Sequence, residues 1–410
     1  MTEALEGSRE KRMVRYPSME GAECPFPLFE HLRAHDPVKE LPERPGVYLV
    51  AKYEDVRYVF AHPEVFSSYQ SRAGLNGVDW ALSTPHSNAL IESDAPEHRA
   101  KRALLFAPLK PSRLRVYETK IREIVDQLID AFIDRGRCDL VEEFAYPLPM
   151  RLTLWLMGVP EDDVEFIRFW ARFEASGLSF MPSEYQEQQR RNGEQMMVYL
   201  TELIQQRYEQ PRDDVLSLVI QTQVARDGDF DLPLVRSQIA ILLGGGVVTT
   251  AHFLSNLLLL LLQNEKQMRE ARVDHSLIPR MIEEALRLDP PSVWIPRRVK
   301  VDTNVGSVRV PAGSYLLLLL SSANRDEAKF VGAETFDARR PNVREHMAFG
   351  HGPHFCLGAP LARIELRIAL EQLMTRLDHL RVAADNDLTH VPSPSFRGLN
   401  KLHIEFAKAV

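Results

Sequence analysis

Cysteine is scarce. Cys24, Cys138 and Cys356 are the only three in 410 residues, an odd, scattered set that gives no disulfide framework and fits a reducing cytoplasm. A single sulfur with no second thiol near it cannot hold zinc. Long apolar runs are missing too: Leu257–Leu262 and Tyr315–Leu320 are six residues each, far below the roughly 20 that cross a bilayer. Charges run from Glu3 to Arg15, where a leader would need an apolar stretch. No membrane association is expected. The net charge of −7 lacks the basic excess of a general nucleic-acid binder, while leaving room for a local basic face toward an acidic protein. What is present is ordinary globular composition, 45% hydrophobic and 26% charged. No linker divides the chain, so the expectation is a polar, flexible segment 1–20 followed by one domain over 21–410.

One stretch stands apart: Phe349-Gly350-His351-Gly352-Pro353-His354-Phe355-Cys356-Leu357-Gly358, continuing as Ala359-Pro360-Leu361-Ala362-Arg363. Gly350, Gly352 and Gly358 predict sharp turns where backbone comes close to another body. The apolar run after them predicts a helix whose first N–H groups point at the Cys356 sulfur and favour its thiolate, the metal-binding form. A buried structural cysteine is the plainer reading. The pattern Phe-Gly-x-Gly-x-His-x-Cys-x-Gly, with six defined positions in ten, resembles the haem-ligand signature of the cytochromes P-450. The resemblance implies haem b with Cys356 as its only protein ligand, and contacts to it from Phe349, Gly350 and Gly358. It also implies a reaction type, because an axial thiolate favours O–O bond cleavage.

The rest of the chain follows the same resemblance in order. Residues 68–92 lose periodicity around Leu75, Val78 and Trp80, a long loop of the kind that is usually functional; in the family this loop covers the substrate. In Asp94-Ala95-Pro96-Glu97-His98, His98 and Arg102 share one helical face, and the resemblance gives them the haem propionates. Helical spacing then recurs near 115–135, 140–157, 161–177 and 184–208, and the aromatic group from Phe169 to Met181 could roof a pocket.

Pro233–Leu262 reads as a central helix, apolar on every side. Gly244, Gly245 and Gly246 in its middle each cost roughly 0.5–1 kcal/mol relative to alanine, so something approaches that backbone. The resemblance sets this segment against the oxygen-binding face of the haem, with Thr249, followed by Thr250, as the catalytic pair. Family members usually carry an acid just before that threonine; here it is Val248. Residues 277–288 form a helix with Glu284 and Arg287 at i,i+3, similar to the family's Glu-x-x-Arg helix, with Arg340 as the implied third partner. Strands are expected over Arg298–Val301, Val308–Val310 and Tyr315–Leu320, and a closing hairpin over Ser393–Phe406. By resemblance Arg298 and His354 hold propionates, and Leu242, Gly245, Val248, Val293, Trp294, Ile295 and Phe396 line the substrate cavity with Leu75, Val78 and Trp80.

The expected fold is therefore mainly α with small β sheets, a single cytochrome P-450 domain. The expected function is a monooxygenase that inserts one oxygen atom of dioxygen into a small apolar substrate. Its electrons are expected from a separate ferredoxin-type partner docking near Lys101, Arg102, Arg344 and Arg363. The protein is expected to be a cytoplasmic monomer that binds no nucleic acid. A peroxygenase or other haem-thiolate chemistry, and a haem-binding sensor, are the alternatives.

Overall fold

The computed structural model describes residues 19–69, 71, 89–167 and 183–409. Leu75, Val78, Trp80 and the Phe169–Met181 group lie outside the described residues, as do residues 1–18. In chain order the main elements are α1 (Phe26–His35), β1 (Val38–Glu40), β2 (Val47–Val50), α2 (Tyr53–Ala61), β3 (Phe66–Ser67), α3 (Glu97–Phe106), α4 (Pro111–Asp130), β4 (Arg137–Asp139), α5 (Pro147–Met157), α6 (Ser183–Glu209), α7 (Val215–Asp227), α8 (Leu232–Gln263), α9 (Glu265–Val273) and α10 (Ile278–Leu288). They are followed by β5 (Trp294–Val299), β6 (Thr303–Val305), β7 (Val308–Val310), β8 (Tyr315–Leu319), α11 (Ala359–Arg376), β9 (Leu377–Val382) and β10 (His403–Lys408).

Helix α8 is the axis of the body. Asp231 caps it, accepting from the Leu234 N–H at 2.9 Å, and Pro233 in the first turn has no N–H to leave unpaired. Its 32 residues make a rod about 48 Å long. Length and composition alone would let it cross a membrane, but 72% of its most apolar window is buried inside the fold. Helices α5, α6 and α10 pack on it and share one large core.

The apolar run that reads as a strand becomes β8, in a five-stranded sheet of order β1-β2-β8-β5-β3. Leu316 and Leu318 enter one core cluster while Leu317 and Leu319 enter another. A strand covered on both faces needs no polar alternation. β5 begins at Trp294, earlier than expected, because it pairs antiparallel with β8 from Trp294↔Leu319 to Arg298↔Tyr315. The expected hairpin is present with shifted bounds: the chain folds back with His390 bridged antiparallel to Leu399 and the Val391 N–H on Gly398 O at 2.9 Å, Phe396 near its tip bridges Ser292, and the following β10 pairs with β9 and β4.

The Glu-x-x-Arg pair is completely buried, Glu284 and Arg287 both at 0% exposure. Arg287 donates Nε to Glu284 Oε2 at 2.9 Å and Nη2 to Oε1 at 2.8 Å. Its remaining N–H groups reach the carbonyls of Asn324, Ala333 and Thr335. Arg340 adds Nε to both carboxylate oxygens at 3.1 and 3.2 Å, and the Asp337 N–H donates at 3.0 Å. Removing one member leaves an uncompensated buried charge, so Glu284→Ala or Arg287→Ala should each cost about 3–5 kcal/mol. The exposed pair Arg269–Glu265 has the same kind of contact at 3.0 Å, yet Glu265→Ala should cost under about 0.5 kcal/mol. Thermal unfolding of the variants measures the contrast; equal midpoints would show the buried pair to be dispensable.

Candidate active site

The cysteine loop is shaped by two glycines with left-handed backbone. Gly350 and Gly352 both have φ of +71°, and a Cβ on Gly352 would sit 2.7 Å from the Phe60 carbonyl oxygen. The turn closes with Gly350 N–H on Met347 O at 2.8 Å, Phe355 N–H on Gly352 O at 3.0 Å and Cys356 N–H on Phe349 O at 2.8 Å. Gly358 corrects the expectation of a third sharp turn. Its φ is −80°, ordinary for a helix start, and what it contributes is space, since a Cβ there would meet the Cys356 Sγ at 4.0 Å.

The N–H groups of Gly358 and Ala359 do act on the sulfur as expected. Burial nevertheless dominates and pushes the Cys356 thiol up, against the pull of those N–H groups, Arg102 and Arg363. The helix entrance alone therefore does not make a thiolate here; a coordinated metal ion would, because metal binding displaces the thiol proton.

Cys356 opens onto a cavity whose wall gathers much of the expected site: His98, Arg102, Phe349, His354 and Gly358, with Leu242, Gly245, Thr249 and Thr250 of α8 and Ile295 of β5. Thr249 Oγ1 donates to the Gly245 carbonyl at 2.8 Å, one helical turn back. Four expected pocket residues are elsewhere. Val248 is 3% exposed and packs into the main core on another face of α8. Val293 and Trp294 pack with Leu317 and Leu319, and Phe396 packs against the main core outside the cavity wall. Gly350 turns the chain without reaching the wall.

The strand arginine is also corrected. Successive side chains of a strand point to opposite faces, so with Ile295 in the cavity wall, Arg297 shares its face and Arg298 does not. Arg297 is 6% exposed, lies over the Phe60 ring at 5.1 Å, and its charge reaches both His98 and His354. Arg298 lines a separate, more open cleft with Lys300, Asp94 and Glu97. The period-two pattern from Ile295 was the available signal.

His98, His354, Arg102 and Arg297 thus form one corner. The two imidazole rings touch at a centroid distance of 3.9 Å. Burial and the neighbouring arginines hold both neutral, His98 below its ordinary value and His354 at about 3. His98 Nε2 is buried with no partner among the described residues. Two guanidinium groups and an unsatisfied imidazole nitrogen suit an anionic oxygen ligand. Together with a lone thiol facing the cavity and glycines that keep its wall open, this donor set fits a haem with its carboxylates at the corner.

The expected docking cations are largely committed inside. Lys101 is 9% exposed and donates to Ser93 Oγ at 2.7 Å, and Arg102 lines the cavity. Arg363 grips Glu283 through Nε at 2.6 Å and Nη2 at 2.8 Å. Burial works to raise that carboxyl, but Arg363 and His346 hold it down at about 2. Arg344 is exposed. Sequence reading missed Glu365, a buried carboxyl in the same cavity wall; its signal was an acid inside the apolar run after the cysteine.

Comparison with known proteins agrees with this geometry. The family described as Cytochrome P450 matches residues 163–396. Cytochrome P450 monooxygenase PikC of Streptomyces venezuelae is 32% identical, covering 94% of this chain and 91% of its own. The Steroid C26-monooxygenase of Mycobacterium tuberculosis is 34% identical, with 92% of each chain covered. Among solved structures, CYP109E1 from Bacillus megaterium in complex with testosterone superposes with a TM-score of 0.86 at 29% identity, covering 95% of this chain and 99% of that one.

Cys356→Ser should abolish the red-shifted absorption of the reduced, CO-bound form that marks a thiolate ligand; survival of that band would exclude Cys356. Arg297→Ala should weaken haem retention, whereas Arg298→Ala should leave it unchanged. Haem content after gel filtration compares the two, and the reverse order would show that Arg298 holds the cofactor.

Proposed function

Since the chain belongs to the cytochrome P450 family, we propose that it is a haem-thiolate monooxygenase with Cys356 as axial ligand to haem b, inserting one oxygen atom of dioxygen into a largely apolar organic substrate. The observation that carries this reading is one cavity wall holding the lone thiol, His98, Arg102 and His354, and Thr249 beside Gly245 and Gly246. When bound, haem with a thiolate ligand supplies dioxygen binding and O–O cleavage.

The chain's own groups then have separable tasks. Cys356 supplies the sulfur, held by its N–H bond to Phe349 O at 2.8 Å. Arg102 and Arg297 would neutralise the cofactor's carboxylates, and His98 and His354, kept neutral, could donate to them without adding charge. Gly245 carries no side chain where α8 meets the cavity. Thr249 presents a hydroxyl there, able to hold a proton at the reacting oxygen. Leu90, Ile91, Leu242 and Ile295 give the wall apolar surface, which excludes water and suits an apolar ligand.

The steroid named for one relative and the testosterone bound to one structural neighbour make compounds of that size and polarity the first to test here. Electrons come, in this reading, from a separate ferredoxin-type protein in the cytoplasm, approaching a face on which Arg344 is exposed. Screening apolar compounds for the spin-state change on displacing iron-bound water identifies ligands. Turnover with ferredoxin, reductase and dioxygen should then give an oxygenated product; turnover with peroxide alone would favour a peroxygenase, and no oxidised product a sensor.

Thr249→Ala should retain haem and substrate binding while diverting electrons to hydrogen peroxide. The fraction reaching product should fall by about tenfold or more, toward the effect of losing a positioned proton donor. Unchanged product yield per electron would remove Thr249 from proton delivery. Val248→Asp is expected to destabilise the protein, since it would bury a carboxylate in the main core.

A further inference from the structure

Helix α3 serves two separate spaces. His98 and Arg102 line the cavity of the active site, while Lys101, which lies between them in sequence, lines the open cleft beside it. That cleft has a volume of about 780 Å³. Strand alternation delivers its second cation: Arg297 turns to the histidine corner, so Arg298 turns the other way, into the cleft. The turn before β8 leaves room there, since Gly313 has φ of +86° and a Cβ on it would meet nothing within 4 Å.

Both cations lack a counter-ion. Lys101 is 9% exposed, and its ammonium makes one hydrogen bond, to the Ser93 hydroxyl at 2.7 Å, which itself donates to Ala89 O at 2.7 Å. The Arg298 guanidinium makes no hydrogen bond among the described residues, and neither side chain forms an ion pair with a described carboxylate. The acids of the cleft are Glu92, Asp94 and Glu97. Asp94 accepts from the Ser67 hydroxyl and the Ser68 N–H and has Lys300 at 3.9 Å. Glu92 is engaged by another group. Glu97 is exposed at the first turn of α3, where water screens its pull on Lys101; burial prevails over that pull and pushes the ammonium down. A buried ammonium held only by a neutral hydroxyl is unfavourable until an anion joins it.

We propose that this cleft binds a phosphate group, free or carried by a small organic molecule, between Lys101 and Arg298. A phosphate has only acceptor oxygens and a charge of about −1.5 to −2 near neutral pH, which matches two cations with N–H groups to give; a carboxylate matches one. The guanidinium fork takes two of its oxygens and the ammonium a third. The cleft is of the size that holds small organic ligands, so the phosphate has room for an attached organic part. The site is distinct from the active-site cavity and does not depend on the monooxygenase reading.

Calorimetric titration and thermal unfolding of the haem-loaded protein in phosphate-free buffer test it, with inorganic phosphate and adenosine monophosphate as probes. At least one probe should bind saturably and raise the unfolding midpoint, with no matching shift from sodium chloride at equal ionic strength. Tighter binding of the nucleotide supports an organic phosphate as occupant, and equal or tighter binding of inorganic phosphate supports the free anion. Lys101→Met, which keeps the apolar stem, and Arg298→Gln should each weaken binding by about tenfold or more while haem content stays the same. Without any probe, Lys101→Met should raise the midpoint, because it removes a buried charge that has no partner; a lysine with a purely structural role would lower it. The proposal is overturned if neither probe binds saturably, if chloride gives an equal shift, if both variants keep wild-type affinity, or if Lys101→Met lowers the phosphate-free midpoint.

Discussion

Everything behind the cysteine loop hangs on one carboxylate. Glu284 is fully buried and receives Arg287, Arg340 and the Asp337 N–H. Those arginines in turn pin the carbonyls of Asn324, Gly332, Ala333 and Thr335. A segment with little regular structure, between β8 and the cysteine loop, is thereby tied to α10. Desolvating three charges is unfavourable, and complete hydrogen bonding is what makes such a cluster tolerable. The result is a rigid base from which Phe349 to Gly358 can make their turn.

The cavity separates its charges by position. Cations and neutral imidazoles gather at the His98–Arg297 corner, while the rest of the wall is apolar apart from Tyr117, Thr153, Thr249, Thr250, Ser292, Cys356 and Glu365, whose carboxyl burial pushes up. A planar ligand with carboxylates on one edge has one favourable orientation in such a field. Neutral histidines matter here, because protonating them beside Arg102 and Arg297 would add like charges in a desolvated corner.

The same burial that orders the site also alters its chemistry. Cys356 sits among helix N–H groups that would stabilise a thiolate in water, yet burial pushes its thiol up. Glu365 shows the same effect with no opposing charge: burial alone pushes its carboxyl up to about 8. In both groups desolvation outweighs the local sequence context.

The sequence by itself determined the features that local patterns encode: the glycine-rich turn carrying Cys356, the apolar central helix with Thr249, the Glu284–Arg287 pair at i,i+3, and the apolar run that became β8. These depend on contacts within a few residues or on simple periodicity. Only the tertiary structure decided which side chain of each element meets the cavity. Register against β8 put Arg297 rather than Arg298 beside His98, the rotation of α8 sent Val248 into the core, and the bridge from Phe396 to Ser292 holds that ring against the main core. Each outcome follows from packing between elements far apart in the chain, and burial, which set the protonation of Glu365 and His354, exists only after that packing is complete.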